Sequence, residues 1–279
     1  MKVALLTSRK MELSDSRLVS LNNYLLSKGM SSQIISPRTI NPDISLLRNY
    51  GVIIVRILHR EYLWIVQYLE EMGIKVINSY KALSLSGNKL ISDGIMEQSG
   101  LKLPRTVFGL KENILKNADS SMFPALVKPL YGRSRGIVYI KSVDNLRNLR
   151  RKWIYLQKFV LNNDGVTRIY KIGKVVRSFF HDYPNEGKAW EVLLPDEIMK
   201  GALRCFNKME MEIGGMDLIE GEDGYYALEV NDFPAGVKRI ENWLEIIADY
   251  LVETICAIGQ EEISSYDSKK GMEFTQKVS

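Results

Sequence analysis

A chain of 279 residues has room for about two domains and a sizeable core. Its 46% hydrophobic and 25% charged residues, with 20 Gly and 8 Pro, exclude disorder, collagen-like repeats and low complexity. Lys and Arg number 38 against 33 Asp and Glu, a net charge of +5 with no run of five basic residues. That is too sparse for a nucleic-acid footprint and suits an anionic small molecule or a solvated basic surface.

The opening KVALLT, residues 2–7, reads as a buried strand, apolar for too short a span to be a signal segment. Ser14–Lys28 carries Leu18, Leu21, Leu25 and Leu26 at helical spacing before Gly29. Strands at Ser32–Ser36, Val52–Leu58 and Ile74–Ile77, with a helix over Glu61–Met72, complete an alternation that predicts a parallel sheet with crossover helices. Such sheets bind ligands at the carboxyl ends of their strands, near which Arg9 and Arg56 fall. The texture changes at Ser79. A helix is expected over Lys89–Gln98, an extended piece over Thr106–Phe108, two strands within Phe123–Lys141 and a helix over Val143–Lys152. Further strands follow at Ile154–Val160, Thr167–Ile172 and Val175–His181, with Gly173 and Lys174 turning a hairpin. A helix over 196–212, strands over 215–219 and 225–231 and a final helix, Trp243–Ile258, lead to a polar tail expected to be mobile.

No stretch approaches the ~18 apolar residues of a membrane span. Cys205 and Cys256 stand far apart and in no metal-type spacing, so both are expected to be buried thiols of a reducing, cytoplasmic compartment. The two histidines, His59 and His181, are too distant for a triad or a histidine metal site.

Chemistry concentrates in a few places. Glu229 and Asn231 are two apart and share one strand face, and a turn at Glu222–Gly224 would put Asp217 opposite them. Three hard oxygen donors on one face suit magnesium with phosphate and water completing its shell; spacing alone leaves a solvated polar hairpin equally open. Lys128 interrupts an apolar strand, where an unpaired ammonium is costly and an anionic partner would relieve it. The loop Tyr131-Gly-Arg-Ser-Arg-Gly offers close backbone approach and two guanidiniums to a phosphate, though an ordinary hairpin has the same composition. The strand end IYLQKFV and the turn Asn162–Gly165 can offer backbone groups to a purine and Asp164 to a ribose, or be simply a strand and a turn.

In order, these pieces resemble the ATP-grasp superfamily and, within it, the RimK-like branch of carboxylate–amine ligases. The resemblance rests on KVALLTSRK, YGVIIVRI, the linker YLEEMGIKVINSYKALSLSGNKLISDGIMEQSGLKLPRTVF, PALVKPLYGRSRGI, LQKFV, DGVTRIYKIGKVV and MDLIEGEDGYYALEVNDFP. It implies an α/β protein, α+β in its ATP-binding part: an N-terminal parallel domain over 1–83, a central lid over 84–160, a C-terminal subdomain with the metal site over 161–262, and a tail over 263–279. Carried over residue by residue, it implies that Lys89 and Lys128 hold the nucleotide phosphates and that Gly132, Arg133, Ser134 and Gly136 cover the terminal one. Gln157, Lys158, Phe159 and Val160 would hold adenine and Asp164 the ribose. Asp217, Glu229 and Asn231 would bind one or two Mg²⁺ ions, with Mn²⁺ as a substitute.

The implied reaction is ATP-dependent amide formation through an acyl phosphate, on an amino-acid-like or cofactor-tail carboxylate. Arg168 would steady the carboxylate, while Arg56, Arg177 and His181 would contact substrate. The partners are then a small carboxylate and an amine, with neither nucleic acid nor membrane; oligomeric state is not readable. One departure stands out: in KVVRSFFHDYPNEGKAW, His181 replaces an expected Arg and no Arg-Gly-Gly follows Asn185. NNDGVTRIYKIGK and LEVNDFPAG also resemble the inositol trisphosphate kinases, which makes phosphorylation of a hydroxyl the alternative.

Overall fold

The structure is a computed structural model that describes residues 2–7, 16–36, 44–56, 62–117, 119–131, 136–162, 165–182 and 188–276, with backbone alone from 261 onward. Strand β1 (Val3–Thr7), helix α1 (Ser16–Ser27), β2 (Ser32–Ile35), β3 (Val52–Arg56), α2 (Leu63–Glu71) and β4 (Lys75–Ile77) come first. They form a wholly parallel sheet in the order β2-β1-β3-β4, the arrangement that the alternation predicts. β1 and β3 are buried on both faces, as expected where helices cover a parallel sheet.

Helices α3 (Tyr80–Ser86) and α4 (Lys89–Gln98) follow, each capped by a side chain: Ser79 accepts from the Ala82 amide, and Asn88 from those of Leu90 and Ile91. Next come β5 (Thr106–Leu110), α5 (Lys111–Asn117), β6 (Ala125–Lys128), β7 (Val138–Ile140), α6 (Val143–Arg147) and β8 (Trp153–Lys158). They build an antiparallel sheet in the order β5-β8-β6-β7. One face buries Ala125, Val127, Ile140, Ile154 and Leu156 under Ile114 of α5 and Leu146 of α6. The opposite face carries Thr106, Lys128, Tyr155 and Gln157.

The last unit holds β9 (Val166–Ile172), β10 (Val175–Asp182), β11 (Lys188–Glu191), α7 (Asp196–Met209), β12 (Ile213–Gly221), β13 (Gly224–Asp232) and α8 (Trp243–Gln276). Its antiparallel sheet runs β11-β10-β9-β12-β13. One face packs Ile169, Met216, Leu218 and Val230 on Ala202, Cys205, Phe206 and Met209 of α7 and on Met96 of α4. The other face sends Tyr170, Ile172, Phe179 and Ile213 into a core shared with Val3, Leu5, Leu18 and Ile54 of the first domain and Ile247 and Leu251 of α8. Asn78, just after β4, ties the two units: its Oδ1 accepts from the amides of Glu212 and Ile213, and its Nδ2 donates to the Ile213 carbonyl.

The structure corrects several expectations. Helix α6 ends at Arg147, not Lys152, because the carbonyls of Arg147 and Leu149 turn to the Lys111 ammonium, which donates to both. Helix α7 ends at Met209, where Glu210 enters the left-handed region at φ 57° and releases the chain into β12. Helix α8 continues along the backbone to Gln276, past the expected stop at Ile258, through a stretch with no proline. Helices α3 and α5, seven residues each, are too short for periodicity to reveal, and β11 is made a strand by its ladder with β10. Cys205 is buried as expected, but Cys256 is exposed on α8; both are free. Among the described residues, no helix is long and apolar enough to cross a membrane.

Candidate nucleotide and acyl-transfer site

The site forms where the open face of the β5-β8-β6-β7 sheet looks across α4 at the β9-β12-β13 strands. Asp217 is the direct cross-strand partner of Arg168 on one side and of Glu229 on the other; Asn231 lies opposite Gly215, one pleat further along. All four therefore share one sheet face. A β-bulge between Asp217 and Leu218 places Ala227, not Leu228, opposite Leu218, so that Ala227 and Val230 face the α7 core while Glu229 and Asn231 keep the other face.

The Arg168 guanidinium grips both Asp217 oxygens, Nε to Oδ1 at 2.9 Å and Nη2 to Oδ2 at 3.0 Å. Burial pushes the Asp217 carboxyl up to about 6, against the pull of Arg168. Asn231 donates from Nδ2 to Glu229 Oε1 at 3.1 Å, and the other Glu229 oxygen lies 3.8 Å from Lys89 Nζ. Lys89, buried in the first turn of α4, and Lys128, buried at the end of β6, bring two ammoniums to the same place. Desolvation holds the Lys128 pKa below its ordinary value, while Glu229, Asp93 and Asp217 raise it again. Among the described residues no group of three or more His, Cys, Asp or Glu side chains is arranged to hold a metal ion by itself. The Asp217–Glu229–Asn231 set has two carboxylates and an amide oxygen, which fits Mg²⁺ when phosphate oxygens and water supply the rest.

Gln157 is buried, and its side chain is committed to protein: Lys128 Nζ donates to Oε1, and Nε2 donates to Thr106 Oγ1 and Tyr155 Oη, both at 3.2 Å. Lys158 is exposed, while Phe159 and Val160 are half-buried. The amides of Lys158 and Phe159 donate to the carbonyls of Arg105 and Pro124. Val160 lies against the β12–β13 hairpin, where a Cβ at Gly221 would stand 2.9 Å from its methyl carbon. Gly136, at φ 89°, accepts at its carbonyl from Arg151 Nη2. Gly132, Arg133, Ser134, Arg135, Asp164, Arg9 and His59 lie outside the described residues.

Of the expected substrate contacts, Arg56 is fully buried at the carboxyl end of β3, beside Thr7. His181 is buried too, and its Nε2 is hydrogen-bonded to the Tyr170 hydroxyl at 2.9 Å. Burial, with the cations Arg168 and Arg239, lowers its pKa to about 4. Arg177 is not gathered with the others. It is exposed near the hairpin end of β10, 3.4 Å from Glu191. Residues that the sequence reading missed are Asp93, Tyr155 and Thr106 around Lys128, Tyr170 and Arg239 around His181, and Arg17, whose Nη1 donates to the Phe233 carbonyl at 3.0 Å.

A family model described as a RimK-like ATP-grasp domain matches residues 86–255. The tetrahydromethanopterin:alpha-L-glutamate ligase of Methanocaldococcus jannaschii is 27% identical over 215 residues, covering 68% of this chain and 73% of that one. The alpha-aminoadipate–LysW ligase LysX of Sulfurisphaera tokodaii is 28% identical over 211 residues, covering 67% and 73%. In fold, the chain is similar to the D-alanine–D-alanine ligase of Bacillus anthracis in its ATP complex, with a TM-score of 0.70 at 16% identity over 94% of this chain and 99% of that one. Both sequence relatives are ligases, which favours amide formation over the kinase alternative.

Proposed function

The chain belongs to the RimK-like ATP-grasp family and is an ATP-dependent carboxylate–amine ligase; on that premise we propose how its own residues divide the work and what class of substrate they take. The adenine lies against the backbone of Lys158–Val160, where the two antiparallel sheets meet at Gly221. Lys89 and Lys128 hold the phosphates. Asp217, Glu229 and Asn231 would hold Mg²⁺, one ion or two. When bound, such an ion would neutralise charge that develops on the transferring phosphoryl group.

The substrate carboxylate oxygen attacks the γ-phosphorus, the bond to ADP breaks, and an acyl phosphate results. The amine nitrogen then attacks the acyl carbon, and inorganic phosphate leaves with the bonding pair. Most of the catalysis is positioning of anions in line against fixed cations. Arg168 is placed for this, because Asp217 locks its guanidinium beside the metal ligands and a planar fork suits a carboxylate or acyl phosphate. The cations Arg168 and Arg239 around Tyr170 and His181 support an acidic, amino-acid-like substrate in the same cleft. Two free cysteines support a reducing, cytoplasmic setting.

The observation that carries this division of roles is the convergence of Lys89, Lys128, Arg168, Asp217 and Glu229 from five elements. The test is ADP and phosphate release with pooled carboxylates, with and without pooled amines. Turnover should need both pools and should release phosphate equal to ADP. ADP formed with a single hydroxyl compound and no free phosphate would overturn the ligase reading in favour of a kinase.

A further inference from the structure

Lys128 is held by a chain of hydrogen bonds whose direction can be read from its ends. Burial pushes the Tyr155 hydroxyl far above its ordinary pKa, so it keeps its proton, which it donates to the Asp93 carboxylate of α4. Thr106 donates its hydroxyl proton to the Pro104 carbonyl at 2.9 Å. Both hydroxyl oxygens are thereby left as acceptors facing the Gln157 amide. Gln157 must turn Nε2 toward them and Oε1 toward Lys128, which donates to it. The strands set the spacing: Lys128 is the register partner of Tyr155, and Gln157 that of Thr106. Asp93 touches none of the groups assigned to phosphate or metal except through charge, so its place in this chain is otherwise unexplained.

We propose that Asp93 is a positioning residue for Lys128, acting through Tyr155 and Gln157 by fixing the one amide orientation that presents an oxygen to the ammonium. Without an acceptor at position 93, the Tyr155 proton can turn to Gln157. Thr106 alone then holds the amide, and each turn of the amide that sets its NH₂ against the ammonium displaces Lys128 from its aim. The inference rests on Lys128 as a phosphate ligand.

The experiment is calorimetric titration of the full chain with ATP and, separately, with adenosine, which has no phosphate for Lys128 to meet. Asp93→Ala, Tyr155→Phe and the control Lys128→Ala are each expected to weaken ATP about tenfold, the scale of a lost hydrogen bond to a charged group, with adenosine affinity unchanged. Asp93→Asn keeps an oxygen for the Tyr155 proton and is expected to recover most of that loss. The double variant Asp93→Ala/Tyr155→Phe should be no worse than Tyr155→Phe alone, since both break one chain. Thermal melts report folding, and Tyr155→Phe conserves volume should Asp93→Ala fail to fold. Wild-type ATP affinity in Asp93→Ala and Tyr155→Phe, with Lys128→Ala impaired, overturns the relay. So does Asp93→Asn as damaging as Asp93→Ala, which would make the charge itself the cause. Undiminished ATP affinity in Lys128→Ala overturns the phosphate role of that lysine, and the relay with it.

Discussion

Arg168 and Asp217 face each other across β9 and β12, and the guanidinium closes a two-pronged bond on the carboxylate at 2.9 and 3.0 Å. In the division of roles we propose, the pair joins two functions in one contact, the carboxylate serving the metal and the guanidinium the acyl group. Both side chains are mostly buried, at 27% and 12% exposure, so neither charge is well solvated without the other.

Removing one partner should therefore cost more than removing both. Arg168→Ala and Asp217→Ala are each expected to lower unfolding free energy by about 3 kcal/mol, the scale for stranding one member of a buried ion pair. The double variant should lose less than the sum. Urea denaturation of the three variants measures this, and strictly additive losses would show the pair to be energetically idle.

His181 gives stability a defined pH dependence. Its folded pKa, about 4, lies below the ordinary 6.5, so the neutral ring is the one the fold favours. Its contribution is complete above pH 6.5 and is lost as pH falls from 6.5 to 4, with a slope of at most about 1.4 kcal/mol per pH unit. His181→Gln cannot take up that proton and should flatten this limb of a stability–pH curve measured by urea unfolding. Equal slopes in the two proteins would place the ring in water.

The face shared by Glu229 and Asn231 was legible from a short-range rule. A strand period of two puts Glu229 with Asn231, but the two-residue turn alone would set Asp217 against Leu228, and only the bulge after Asp217 brings it opposite Glu229. Arg177, placed at the substrate only by the resemblance, shares a face with Arg168 but lies at the far end of the hairpin, beside Glu191. Asp93 was illegible for another reason. A carboxylate between Ser92 and Gly94 in an amphipathic helix reads as solvated until β8, 62 residues later, brings Tyr155 onto it. Gln157 looked available to adenine because sequence shows neither Thr106 nor Lys128 beside it. The parallel sheet of the first domain was plain from its strand–helix alternation, whereas α3 and α5 offer barely two turns each.

Gly236 marks the closest approach between the β9 face and the short helical turn Ala235–Arg239. A Cβ there would stand 1.7 Å from the Tyr170 hydroxyl oxygen and 2.5 Å from the ring carbon bearing it, so no rotamer relieves it. Gly236→Ala must move the turn or expel Tyr170 from His181, and a loss of about 2–3 kcal/mol is expected, as for other overpacked interiors. Tyr170→Phe in the same chain should restore part of it by removing the nearer atom. A Gly236→Ala variant with the wild-type urea midpoint would mean that the turn is not seated against Tyr170.

Glu229 separates metal binding from folding more cleanly than Asp217, because it is only half-buried and holds no guanidinium. Its Oε1 accepts from Asn231 Nδ2, which fixes the asparagine amide, and its Oε2 lies nearest Lys89. Glu229→Gln keeps the volume and can still face Asn231 through its carbonyl oxygen, but it removes the anion that a magnesium ion and two lysines require. Mg²⁺-dependent ADP formation should fall by more than about a hundredfold, the loss expected when a metal's charge stabilisation is withdrawn from phosphoryl transfer. The urea midpoint should shift little, since Lys89 and Lys128 then face one anion fewer but remain close to Asp217 and Asp93. ADP release measured against Mg²⁺ concentration checks both halves of the argument. A lower maximum, or a requirement for far more Mg²⁺, supports the metal role, whereas an unchanged curve removes Glu229 from the site.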